Sequence, residues 1–75
     1  MKTTNKLIPG DLIMCDTHWF LCLGTCDVGI NKHSEGYRLL DKRYGEMMIS
    51  KDEFAWQMRF HGENIVRNGE RLSFV

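Results

Sequence analysis

The sequence is poor in proline, with one in 75 residues, and carries no excess charge of either sign and no long apolar run. Ten lysines and arginines are matched by ten aspartates and glutamates, which argues against a protein that coats nucleic acid or an anionic membrane by bulk charge. No stretch approaches the length of a membrane-spanning helix. Three cysteines, an odd number, argue against a disulfide framework and for a reducing, cytoplasmic setting. The early apolar pair Leu7-Ile8 is interrupted by Pro9, Gly10 and Asp11, so nothing there reads as a signal peptide.

What is present suits one small domain over residues 1–75, with residues 1–6 expected as a flexible arm. A chain this short buries only about 60% of its unfolded surface, so a partner or a staple would add needed stability. Leu12-Ile13-Met14-Cys15 and Trp19-Phe20-Leu21-Cys22-Leu23 are apolar runs of strand length that should pair as a hairpin, the second stopping or bulging at Gly24. Gly29 to Gly36 reads as a surface loop. Tyr37-Arg38-Leu39-Leu40 and Glu46-Met47-Met48-Ile49 flank a polar connection ending at Gly45, as a second hairpin would.

Ser50-Lys51-Asp52-Glu53 fits a capping box, so a helical turn is expected near residues 50–55. Beyond it Phe54, Trp56, Met58 and Phe60 alternate with Ala55, Gln57, Arg59 and His61, a period of two that favours a strand, although Phe54 and Met58 alone would suit a helix. Asn68-Gly69 supplies a type I′ turn that sets Arg67 opposite Glu70 as a charge pair and Ile65 opposite Leu72. These elements predict a mainly all-β fold, a small barrel or roll of five to seven short strands with one helical turn. Its interior is expected to take Leu12, Met14, Leu21, Leu39, Ile49, Met58, Ile65 and Leu72.

The opening Pro9-Gly10-Asp11-Leu12-Ile13, the paired short strands and the helical turn before a late strand resemble SH3-like barrels, over about residues 8 to 75. A small, methionine-rich chain of this kind is also similar to accessory proteins of bacteriophages, which implies a viral factor acting in a host cytoplasm. The same opening resembles the first strand of MazF-type toxins, ribonucleases built on an SH3-like barrel. This chain is shorter than that family and lacks its catalytic arginine and acid pattern.

Four groups of residues carry candidate chemistry. Cys15, His18, Cys22 and Cys26 have nearly the spacing of a zinc site, but Cys22 sits inside an apolar run where a thiol serves as a small hydrophobe, so no metal and no other cofactor is expected. Cys26, Asp27 and His33 offer the residue types of nucleophilic catalysis without a pattern that brings them together. Arg38, Lys42, Arg43 and Arg59, with Tyr37 and Tyr44, could form a small nucleic-acid patch, yet Asp41 and Glu46 offset the charge of the hairpin tip. Trp19 and Phe20 put large apolar groups on both faces of one strand, and a small barrel has only one interior. That surplus points to a non-enzymatic module that binds another protein, in the simplest case a second copy as a homodimer, with Trp19, Phe20, Tyr44 and Trp56 as interface candidates.

Overall fold

The computed structural model describes residues 2–15, 18–29, 34–61 and 64–75. The strands are β1 (Lys2–Thr4), β2 (Leu12–Cys15), β3 (His18–Val28), β4 (Ser34–Asp41), β5 (Gly45–Ser50), β6 (Asn64–Arg67) and β7 (Glu70–Phe74), and the helix α1 (Lys51–His61) lies between β5 and β6. All seven strands join one sheet in the order β1-β7-β6-β2-β3-β4-β5, which is the mainly β architecture expected.

Local chemistry sets most of the connections. Pro9 and Gly10 occupy the centre of a turn closed by the Asp11 amide donating to the Ile8 carbonyl at 3.1 Å, and Gly10 takes the positive φ of 94° that a type II turn requires there. Asn68 and Gly69 both have positive φ, as the type I′ turn between β6 and β7 demands, and the register sets Ile65 against Leu72 and Arg67 against Glu70. At the start of α1 the Ser50 hydroxyl accepts the Glu53 amide at 3.1 Å, so the N-cap forms as its sequence implies.

Several expectations are corrected. Residues 2–4 are not part of a loose arm: Lys2, Thr3 and Thr4 pair in parallel with Leu72, Ser73 and Phe74. The segment from Phe54 onward is not a strand, because α1 runs on to His61 and buries Phe54 and Met58, one helical turn apart, while Trp56 faces solvent. Ser34, Glu35 and Gly36 belong to β4, opposite Val28, Asp27 and Cys26, so the expected loop is shorter; its residues 30–33 lie outside the described residues. β3 passes through Gly24 with a bulge between Cys22 and Gly24 and continues to Val28.

The sheet does not close on itself, since the two edge strands β1 and β5 do not pair with each other. The helix packs against β4, β5 and β7. Phe54 meets Tyr37 of β4 edge-to-face at 5.4 Å and Phe74 of β7 at 5.0 Å, so one aromatic side chain links both halves of the rolled sheet. Around it the core gathers Leu7, Ile13, Cys22, Tyr37, Leu39, Met58, Ile65 and Leu72. At the helix start, Lys51 pairs with Glu35 at 2.7 Å and lies 5.5 Å from the centre of the Tyr37 ring.

The face of β2 and β3 turned inward is the opposite of the expected one. Ile13, Phe20 and Cys22 point to the core, whereas Leu12, Met14 and Leu21 lie on the outer side of the sheet with partial or substantial exposure. Asp11 shares the inward parity of Ile13, and Arg67 that of Ile65. The pair expected between Arg67 and Glu70 gives way to this geometry: Arg67 turns to Asp11, and Glu70 pairs with Lys2 at 3.4 Å.

Candidate functional site

Strand parity builds the principal candidate surface. Residues directly opposite one another on paired strands share a face, and the registers place Val66, Leu12, Leu21 and Leu40 in one row across β6, β2, β3 and β4. Arg71 ends that row on β7 and Glu46 ends it on β5. Two residues along the strands, Met14 stands opposite Trp19 and extends the apolar area toward the hairpin end. Leu12 and Leu40 are each more than a third exposed, and Trp19 is 47% exposed. An apolar centre with a charged margin therefore covers the outer side of the sheet, where no element of this domain packs among the described residues.

Phe20, the neighbour of Trp19, turns the other way and packs on the core. Tyr44 occupies the β4–β5 hairpin tip, exposed, with the Arg43 guanidinium 6.0 Å from its ring centre. Trp56 lies on the exposed side of α1, away from the row. Of the four interface candidates, only Trp19 belongs to the apolar outer face.

A second site forms where the β2–β3 hairpin end meets the β4–β5 tip. His18, Trp19, Asp41, Lys42 and Arg43 line a concavity of about 470 Å³. Asp41 is buried and accepts the Arg43 amide at 3.0 Å, which fixes the start of the turn that carries both cations. The other cations of the nucleic-acid set stand apart. Arg38 is held on the outer face by Glu46, its Nε donating at 2.6 Å, and Arg59 is on α1 beside Ala55, Phe74 and Val75.

A third feature is a groove of about 270 Å³ between β5 and α1, with Ile13, Leu39, Phe54 and Met58 among its walls and Met47, Glu53 and Gln57 also lining it. Its lining is mostly hydrocarbon, and Met47 and Glu53 are exposed while Gln57 is half-buried. Sequence reasoning missed this groove, because it depends on the segment after Phe54 being helical.

The metal-site candidates do not assemble. Cys15 stands opposite His18 at the hairpin end, but Cys22 is buried in the core with its thiol donating to the Gly24 carbonyl at 3.9 Å. Cys26 lies four residues further along the same strand, about 13 Å away at the usual rise. Among the described residues no group of three or more His, Cys, Asp or Glu side chains is placed to hold a metal ion. Burial pushes the Cys22 thiol above its ordinary range, which opposes its use as a thiolate ligand or nucleophile. Cys26 and Asp27 are consecutive in β3, and His33, the third member of the catalytic set, lies outside the described residues.

No helix among the described residues is long and apolar enough to cross a membrane. Comparison of the chain with protein-family models, with curated proteins and with solved structures gives no match.

Proposed function

We propose that this protein is a small, non-enzymatic binding module that recognises another protein through the outer face of its sheet. The observation that carries the reading is the row Val66-Leu12-Leu21-Leu40, apolar across four strands and bounded by Arg71 and Glu46. An apolar centre with a polar rim is how protein interfaces are built, and Trp19 beside the row is the kind of large aromatic that anchors them. A second copy is the simplest occupant, because two such faces are mutually complementary in chemistry.

Analytical ultracentrifugation over a concentration series tests that occupant, with Leu12→Lys and Leu40→Lys as surface variants. Concentration-dependent dimers that both variants abolish support it. If the protein is monomeric throughout, photo-crosslinking from position 19 in cells producing the chain, followed by mass spectrometry, tests for a different protein partner. The reading fails if no crosslinked protein depends on Leu12 and Leu40.

The concavity of His18, Trp19, Lys42 and Arg43 supports a second reading, a nucleic-acid-binding module in which a base stacks on Trp19 and the two cations meet phosphates. That reading requires single-stranded RNA or DNA to bind with an affinity that falls steeply with salt and with Lys42→Ala and Arg43→Ala. Binding that is absent, or indifferent to salt, removes it.

A further inference from the structure

The two edges of the sheet are protected very differently. β1 is three residues long and carries Lys2, the kind of short, charged edge that discourages further pairing. β5 is six residues long, Gly45-Glu46-Met47-Met48-Ile49-Ser50, with neither lysine nor proline. Among the described residues it pairs with β4 on one side only, so alternate amides and carbonyls along its other side have no strand partner there. Met47 and Met48 are both exposed on this strand, Met48 at 63%, and methionine is the side chain most able to reshape itself around different partners. Beside this edge lies the groove between β5 and α1, lined largely by hydrocarbon and by the exposed carboxylate of Glu53, with a second acid, Asp52, in the same helical turn.

An edge with open backbone groups and an adjacent apolar groove selects an occupant that offers both. A helix has no free backbone groups to add along the edge, and a globular surface can add to it only with an exposed strand edge of its own. An extended segment satisfies the edge with its main chain and turns every second side chain toward the helix. We infer that β5 and α1 form a binding site for an extended peptide, which adds to the sheet as an eighth strand, places an apolar side chain in the groove and carries a lysine or arginine near Glu53. The groove lies on the inner face of the sheet, whereas the outer apolar row reaches β5 only at Glu46.

The test is selection of short random peptides displayed on phage against the purified protein, followed by fluorescence polarisation with the selected peptides made synthetically. The expected peptides alternate apolar and polar residues, include a basic residue, and shift the backbone amide NMR signals of β5 and the first turns of α1. Met47→Lys, an exposed position at the groove, should weaken binding by roughly tenfold or more, and Thr25→Lys, exposed on β3, should leave it unchanged. Methylating the peptide amides one at a time should abolish binding at every second position only, because only those amides face β5. Failure to select any peptide, binding indifferent to Met47→Lys, or methylation without a two-residue period would each overturn the assignment.

Discussion

The Arg67 guanidinium grips both carboxylate oxygens of Asp11, with Nε to Oδ1 at 2.9 Å and Nη2 to Oδ2 at 2.8 Å. Asp11 is 1% exposed and also accepts the Ile8 amide at 2.9 Å, so both oxygens of the buried carboxylate are hydrogen-bonded. Arg67 also donates to the Lys6 carbonyl at 3.1 Å, and the Asp11 carbonyl accepts the Cys22 amide at 2.8 Å. One residue pair thereby ties the lead-in segment, β3 and β6 together.

Removing one partner of this pair strands the other. Arg67→Met should cost about 3–5 kcal/mol in urea unfolding, since the Asp11 carboxylate would stay buried with only the Ile8 amide as donor. Arg67→Lys should recover only part of that loss, because an ammonium group cannot make the two-pronged contact. A coupling energy near zero in a cycle with Asp11→Asn would contradict this account.

Phe54→Leu should destabilise the protein by about 1–3 kcal/mol although it keeps an apolar side chain, because two edge-to-face contacts, to Tyr37 and to Phe74, are lost together. The same substitution should raise amide exchange in β7 as well as in α1, since the helix is what joins that strand to β4. Exchange confined to α1 would show that the aromatic link is not what holds the roll.

Gly36 has no room for a side chain. A Cβ there would lie 2.5 Å from the Ile49 carbonyl oxygen and 2.8 Å from a Val28 methyl, and the carbonyl belongs to the β4–β5 pairing. Gly36→Ala should therefore cost about 1–3 kcal/mol in thermal or urea unfolding, whereas Gly45→Asn, at an open turn position with φ of 84°, should cost less.

The Cys22 thiol is pushed up by burial, with the nearby Asp11 charge adding to the shift, so folding favours its protonated form. Its contribution is complete below the ordinary thiol range, near about pH 8.5, and is lost as pH rises from there through the folded value. Stability should fall between pH 8 and pH 10 more steeply for the wild type than for Cys22→Ala, which is less stable at neutral pH but has no thiol to titrate at that position. Equal slopes would remove Cys22 from the alkaline response. Ellman's reagent at neutral pH should react with Cys22 only after unfolding.

The turn at Asn68-Gly69 and the helix cap at Ser50 were readable from the sequence, while the facing directions of β2 and β3 were not. Asn68-Gly69 and Ser50-x-x-Glu53 act through their own backbone, so their turn and cap follow wherever they occur. In β2 and β3 both faces are apolar, and local alternation cannot choose between Leu12-Met14 and Ile13. The choice is made by distant residues, Ile65 opposite Ile13 and Arg67 beside Asp11. A lone acid flanking a strand, with an arginine at the end of another, was the only available signal. The alternation from Phe54 to Phe60 misled for a related reason: Phe54 and Met58 are buried one helical turn apart, and the exposed Trp56 between them supplies the false period. The β5–α1 groove inherits that difficulty, while Trp19 on the outer face was visible as a surplus aromatic in a strand with one interior to fill.

The placement of β2 between β3 and β6 bears on how the chain is made. The pairings β2–β3, β3–β4 and β4–β5 close between near neighbours, but β2 must wait for β6, and β1 must wait for β7 at the far end of the sequence. A nascent chain that has emerged only as far as α1 holds a four-stranded meander whose β2 margin is bare. Until the last hairpin leaves the ribosome, that margin is open to any other strand nearby, so premature termination should yield insoluble fragments in place of a smaller working domain.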